Sequence, residues 1–357
     1  MELAELTDRG AKVTNDPRPT KGRIGPPEIG ILMYPGVQMS AALGLVDLFF
    51  FADKLARKRL DQTGPALRVS QLEAAGTLHR LTDTAPEHDG VPSAIILPPC
   101  VSAPRSASLN QELLVWLRAQ HAAGVTLGAV CGGGFLLAET GLMQGRTATT
   151  HVSLTTLYAD RFPDVVLDAD KMVIDHGDVV TAGGLMAWTD LGLRFVERLL
   201  GRALMLETAR FLVLDAPGRE QRFYGVFSPN LRHGDAAILK VQQWLAQTGA
   251  RNVTAAAMAD HAALEERTFL RRFAKATGMK PTEYCQQLRV GKARELLETT
   301  ATPISGIAWE VGYEDPGSFR KVFFMVTGLS PSDHRRRFGL QHRTADLNHS
   351  LSTATYS

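Results

Sequence analysis

The chain has 357 residues, with 39 Lys and Arg against 37 Asp and Glu, and is 45% hydrophobic and 21% charged. These values exclude disorder, collagen and coiled coil as the main architecture and predict two globular domains. No run of about 18 uncharged apolar residues occurs, so no membrane helix is expected. Residues 1–27 scatter charges around Pro17 and Pro19, which predicts a disordered tail, no secretory signal and a cytoplasmic location.

From Glu28 the pattern changes. Residues 29–34 (IGILMY) form an apolar run ended by Pro35-Gly36, a buried strand and its turn, and residues 41–56 have helix length. Residues 67–72 alternate, 94–97 (AIIL) are a second buried strand stopped by Pro98-Pro99, 111–123 an amphipathic helix and 125–130 a third buried strand. Strands separated by helices predict an α/β domain with a doubly wound parallel sheet, placed at residues 28–215. Residues 172–175 and 178–181 flank His176-Gly177 as a hairpin, and 185–200 form a long helix with Gly201 as its stop. Residues 216–235, rich in glycine and charge, are expected to link this domain to a second, all-α one at 236–340, followed by a tail at 341–357. Cys100, Cys131 and Cys285 are too few and too scattered for a disulfide framework, and no cysteine or histidine spacing points to a metal.

Charge divides unevenly between the two parts. Residues 231–357 carry 17 basic and 12 acidic side chains, net +5, which leaves 22 against 25, net −3, for the rest. A basic nucleic-acid module and a solvated basic surface both fit that asymmetry.

The basic part contains an internal repeat. Met258, Ala259, Ala262 and Leu264 recur as Ile307, Ala308, Val311 and Tyr313 at an offset of 49, and Phe269, Phe273, Gly278 and Pro281 recur as Phe319, Phe323, Gly328 and Pro331 at an offset of 50. In each copy a short helix (255–261, 305–310) leads through a tight turn into a second one (265–276, 316–326), which predicts two helix-turn-helix units. At 100° per residue, Phe269 and Phe273 define a buried face and Arg267, Thr268, Arg271 and Lys275 the opposite one, with Arg272 beside them. Arginine there can bond guanine bidentately and threonine can meet a thymine methyl, while Lys275 suits phosphate. In the second copy the outward face is Gly317, Ser318, Lys321, Phe324 and Met325, flanked by Arg320; with fewer base-reading groups it predicts mainly backbone and shape contacts.

Residues 254–338, with the runs RTFLRRF (267–273), ATG (276–278), ARELL (293–297), VGY (311–313), SFR (318–320) and GLSP (328–331), resemble the AraC/XylS-type DNA-binding domain. The resemblance implies two helix-turn-helix units joined by a long helix, about 281–298, that read successive major grooves of promoter DNA. Gly317 departs from it and is expected to weaken the start of the second recognition helix.

In the amino-terminal part, residues 128–138 (GAVCGGGFLLA) run from a buried strand through Cys131 and three glycines into a helical segment. That order suits a nucleophile elbow, although a cysteine after a strand is also an ordinary small buried side chain. With residues 138–142 (AETGL), 145–151 (GRTATTH), 34–36 (YPG), 181–184 (TAGG) and Asp190-Leu191, the segment 28–215 resembles the ThiJ/PfpI-type, class I glutamine amidotransferase-like fold. Joined to an AraC-type module, the chain is similar to GlxA-type transcriptional regulators.

That resemblance implies a regulator, by the habit of the family an activator, that acts as a dimer through its amino-terminal domain with RNA polymerase as a partner. It also implies a small-molecule effector, with nitrogenous metabolites as the class. Catalysis is not expected. The position of the acid that reaches the cysteine in the enzymatic relatives is Ala41; the histidine that follows the cysteine in the proteases is Gly132; and the relatives' glycine pair after the strand ending at Leu97 is Pro99-Cys100, where Pro99 has no N–H. Cys131, Gly132, His151, Gly184 and Trp188 are the expected lining of an effector pocket at the carboxyl ends of the strands. His151 as a base or as an orienting group, and Trp188 as a pocket wall or as core, both stay open. Cys285 reads as packing, and a Cys100–Cys131 redox pair is the less favoured reading of the other two cysteines. The alternative function is a cysteine-dependent hydrolase or hydratase that uses Cys131 and carries an appended DNA-binding module.

Overall fold

The structure, a computed structural model, describes residues 25–75, 77–88, 90–100, 111–215 and 218–339, without the side chains of 74–78. The tails expected at 1–27 and 341–357 lie outside the described residues, except for residues 25–27. The chain divides into two compact units, Met1–Gln221 and Arg222–Ser357.

The first unit runs β1 (Glu28–Met33), α1 (Met39–Leu60), β2 (Arg68–Ala75), β3 (Thr77–Asp83), β4 (Ala94–Leu97), α2 (Gln111–Ala122), β5 (Thr126–Val130), α3 (Gly133–Glu139), β6 (Thr147–Ala148), α4 (Thr155–Arg161), β7 (Val166–Leu167), β8 (Val173–Asp175), β9 (Val179–Ala182), α5 (Trp188–Leu200) and α6 (Arg202–Phe211). Seven strands form one sheet in the order β3-β2-β1-β4-β5-β9-β8, and β6 pairs with β7 separately. From β2 to β9 the pairing is parallel.

The expected parallel sheet is therefore present, with an antiparallel strand at each edge. The hairpin around His176-Gly177 supplies β8. The other edge strand, β3, was not foreseen, because its sequence TLHRLTD mixes polar and apolar residues as an edge that faces water on one side can.

The central strands are continuous apolar runs because both faces are covered; β4 and β9 are buried along their whole length. One face packs α1, α5 and α6 through residues such as Leu45, Phe49, Leu191, Phe195 and Met205. The other packs α2 and α3, with Tyr158 of α4, through Leu114, Leu117, Phe135 and Leu137. Gly201 is the stop expected for α5: at φ 91° it ends that helix, and α6 begins at the next residue. Buried charge gathers at the amino ends of β1 and β2, where Glu28 and Arg68, each 3% exposed, pair with Arg80 at 2.8 Å and with Asp83 at 2.5 Å.

Among the described residues the regular elements of the second unit are helices: α7 (Ala236–Thr248), α8 (Ala255–His261), α9 (Glu266–Thr277), α10 (Pro281–Thr299), α11 (Ile304–Glu310), α12 (Pro316–Thr327) and α13 (Pro331–Phe338). The repeat seen in the sequence is repeated in atomic detail. Thr277 Oγ1 donates to Phe273 O at 2.7 Å and accepts from Met279 N at 3.2 Å, and Thr327 Oγ1 does the same with Phe323 O at 2.8 Å and Leu329 N at 3.2 Å. Gly278 and Gly328 end the two helices at φ 73° and 74°. Each copy has its own core, Phe269 and Phe273 with Tyr284 in the first, Phe319 and Phe323 in the second. The long helix α10 contributes to both, through Tyr284 and Cys285 to one and Val290, Ala293 and Leu297 to the other.

The start of α12 is capped at Gly317 itself. Asp315 caps that helix by accepting from Gly317 N at 3.0 Å and Ser318 N at 2.8 Å. A Cβ on residue 317 would stand 3.2 and 3.3 Å from the capping carboxylate oxygens, so the glycine makes room for the cap.

The break between the units falls inside the segment 216–235, whose described residues pack onto one unit or the other. Arg219 pairs with Asp190 at 2.6 Å in the first; Arg222 O accepts from Arg294, and Phe227 meets Tyr284 edge-on, in the second.

Candidate functional site

The first candidate site lies where β1, β4, β5 and β9 end. Sheet order reverses between β1 and β4, and such a switch point opens a crevice at the carboxyl ends of the strands. The segments leaving these two strands are tied together, Val37 bridging to Cys100 and Gln38 N donating to Pro99 O at 2.8 Å. Cys131 follows β5 directly.

Its backbone has φ 50°, the left-handed region that a cysteine rarely enters, so the strained strand-to-helix turn expected of an elbow is present. Cys131 N donates to Ala182 O at 2.8 Å, and Thr150 Oγ1 donates to Cys131 O at 3.2 Å, which pins the turn to β9 and to the segment before His151. The glycines answer to close approach: a Cβ on Gly133 would lie 2.4 Å from Leu97 O and 2.6 Å from Pro98 O. One on Gly132 would lie 3.3 Å from Cys100 N and 3.5 Å from Cys100 Cβ, so Cys100 and Cys131 share the rim.

The surroundings of the sulfur favour the thiol over the thiolate. Cys131 is 4% exposed. Burial pushes its thiol above the ordinary cysteine value; the backbone amides of Gly132 and His151 pull the other way, and neighbouring Cys100 adds to the rise. The opposing help comes from peptide N–H groups and not from an imidazole or a guanidinium. The position expected of the acid, Ala41, is fully buried in the first turn of α1. Tyr34 directs its hydroxyl to Pro98 O, and burial first, then Cys100 and Cys131, raise it beyond its usual range.

His151 presents its backbone to the sulfur, while its ring works locally. Nδ1 accepts from Ser153 N at 3.1 Å and lies 2.7 Å from Ser153 Oγ, capping the short turn Val152–Leu154. A raised thiol predicts that alkylation of Cys131 by iodoacetamide, in a chain with Cys100→Ser and Cys285→Ser, accelerates only above the ordinary thiol range. A rate already at its plateau near neutral pH would mean an activated thiolate and would favour the hydrolase reading.

Gly184 has φ 54° and donates its N–H to Gln221 Oε1 at 3.1 Å. Gln221 is a participant that the sequence reading missed, having assigned it to the connecting segment. It is 6% exposed; Nε2 donates to Thr150 O at 2.9 Å and Ala169 O at 2.8 Å, and Oε1 also accepts from Val152 N at 3.3 Å. A Cβ on Gly183 would lie 2.5 Å from Gln221 Nε2, so the glycine pair after β9 makes room for that amide. No local signal marks Gln221, since its partners lie about 40 to 70 residues away. Trp188 is half-buried at the start of α5 and stacks over Gly44 of α1, where a Cβ would lie 2.5 Å from the indole. It serves as helix packing there, with its Nε1 buried and without a partner. Cys285 is buried in the first core of the second unit, and burial raises its thiol.

The second candidate site is the outward face of α9 and α12. Arg267, Arg271 and Lys275 are exposed on α9, and Thr268 between them is half-buried with its hydroxyl 3.4 Å from Glu265 Oε2. Arg272 points elsewhere: it forms two hydrogen bonds to Asp235, at 2.6 and 2.9 Å, and Asp235 also caps α7 through Ile238 N. That arginine fixes α9 against α7 and is not on the reading face, which corrects its inclusion with the DNA-facing groups. On α12, Ser318 Oγ bonds the Asp315 cap at 2.8 Å, while Arg320 and Lys321 are exposed. Among the described residues no helix is long and apolar enough to cross a membrane.

Known proteins match both units. Residues 77–198 match the model of the DJ-1/PfpI family and residues 258–337 that of a helix-turn-helix domain. The HTH-type transcriptional regulator GbdR of Pseudomonas aeruginosa is 25% identical over 315 residues, 87% of this chain and 84% of the relative. The HTH-type transcriptional regulator GlxA of Rhizobium meliloti is 26% identical over 226 residues, 62% of this chain and 69% of the relative. Among solved structures, an AraC family transcriptional regulator from Pseudomonas putida, 16% identical, aligns over 52% of this chain and all of its own with a TM-score of 0.42.

Proposed function

We propose that this chain, which joins a DJ-1/PfpI-type domain to an AraC-type helix-turn-helix domain, is a DNA-binding transcriptional regulator, an activator, controlled by a small metabolite held in its amino-terminal unit. The observation that carries the reading is the duplicated helix-turn-helix with Arg267, Arg271 and Lys275 exposed on one face of α9. Arg267, Thr268, Arg271 and Lys275 read and hold one half-site, and Ser318, Arg320 and Lys321 contact the next. The effector sits at the elbow against Cys131, Gly132, His151 and Gly184, in a crevice at a topological switch point. A nitrogenous metabolite is the class implied by the family. The unit binds without catalysing, because the thiol is raised, Ala41 replaces the acid and Pro99 cannot donate. Two copies pair through the amino-terminal unit and meet RNA polymerase at the promoter.

Selection of bound duplexes from random DNA, followed by titration at several salt concentrations, tests the DNA half. Specific sequences should be enriched, and log affinity should fall linearly with log salt. No enrichment would sink the reading. For the effector half, a thermal-shift screen of amino acids, amines and betaines should give a hit lost in Cys131→Ala; ligand at 100 times its Kd stabilises by about 2.7 kcal/mol.

A further inference from the structure

The two recognition helices are equal in length and packing but carry different chemistry outward. Each has 12 residues, buries two phenylalanines four apart and ends on a left-handed glycine. Superposed at the offset of 50, the face of α9 built by Arg267, Thr268, Arg271, Ala274 and Lys275 becomes Gly317, Ser318, Lys321, Phe324 and Met325 on α12. Three cations become one. In their place stand two large apolar side chains in water, Phe324 at 55% and Met325 at 59% exposure.

Both belong to the reading face. At 100° per residue they lie within about 60° of Lys321, on opposite sides of it, and away from buried Phe319 and Phe323. From residue 317 to 325 the face runs about 12 Å along the axis, close to the width of the major groove at about 12 Å. The apolar group that base edges present in that groove is the thymine C5-methyl.

We propose that α12 selects its half-site through thymine methyl groups: Phe324 and Met325 form an apolar contact for two or more of them around Lys321, while α9 selects guanine through its arginines. The proposal rests on the DNA-binding reading and deepens it. It goes beyond the expectation that α12 makes mainly backbone and shape contacts. It also gives the promoter site a polarity, one half-site with guanines and a strong salt response, the other rich in A·T pairs with a weaker salt response.

The test uses the full-length chain and the best duplex from the random-DNA selection, with thymine replaced by deoxyuridine in one half-site at a time. Uracil keeps the base pair and removes only the methyl. The half-site of α9 is the one whose base preference relaxes in Arg271→Ala. In the other half-site each lost methyl should weaken binding about fourfold. The Phe324→Ala/Met325→Ala double variant should bind the thymine duplex as weakly as the wild type binds the uracil one, and should show no further loss on uracil.

Uracil without effect in that half-site, or a double variant that still loses affinity on uracil, overturns the proposal. So does a double variant with normal DNA affinity that no longer activates transcription, since the face would then belong to a protein partner. A variant melting below the wild type is replaced by Phe324→Gln/Met325→Gln, read by the same uracil difference. No enriched duplex, or Arg271→Ala without effect on any base, would bring down the DNA-binding reading itself.

Discussion

Phe273→Ala is expected to cost the carboxy-terminal unit about 3–5 kcal/mol and with it specific DNA binding. The side chain has no exposed surface and stands at the centre of an aromatic cluster, its ring 5.4 Å from Phe269 and 5.3 Å from Tyr284, the latter edge to face at 90°. Tyr284 is held in turn by Gln242 Nε2 at 3.2 Å and by the ring of Phe227 at 5.1 Å, so the neighbours have little freedom to close the cavity. The urea midpoint of the transition reporting this unit should fall with its slope unchanged. A loss below about 1 kcal/mol would mean that the cluster repacks, and the assignment of Phe273 as a keystone would be wrong. Phe323, fully buried 5.6 Å from Phe319 in the second copy, should behave alike.

Arg271→Ala should weaken binding to the selected operator by about 1–3 kcal/mol, roughly 5- to 150-fold, and relax preference at one base pair. The residue is exposed at the middle of the α9 face, with Arg267 one turn before it and Lys275 one turn after. Lys275→Ala should instead weaken all duplexes similarly and lower the salt slope by about one. Arg272→Ala makes a contrast beside it. Its loss frees Asp235, whose carboxyl is held below the usual range by the hydrogen bond from that arginine, so the expected change is in stability and not in base preference. Unaltered preference in Arg271→Ala, measured by repeating the selection with the variant, would mean that a different face of the unit meets the bases.

Much of the molecule could be read along the chain because its signals are local. Buried parallel strands are apolar without interruption, and residues 94–97 were legible for that reason; the repeat was legible because each copy places phenylalanine, Thr-Gly and proline at the same spacing. Edges were harder. Strand β3 carries a mixed sequence, β6 and β7 are two residues each, and their pairing depends on partners distant in the chain. At the site, the residue types flanking Cys131 announced the turn. What the sulfur experiences depends on burial, on the amides of Gly132 and His151 and on the nearness of Cys100, none of which a linear pattern carries.

The sequence by itself determined the two-part organisation, the α/β class, the duplicated helix-turn-helix and the glycine-lined elbow, because strand periodicity, turn chemistry and spacing act within a few residues. Only the tertiary structure decided that Arg272 belongs to Asp235, that Gln221 knits the segments after β6 and β9, that His151 spends its ring on Ser153, and that Gly317 makes room for a cap. Each of these is a choice of partner. A polar side chain is satisfied by whichever donor or acceptor the fold delivers within about 3 Å, so its role follows from packing that brings distant segments together.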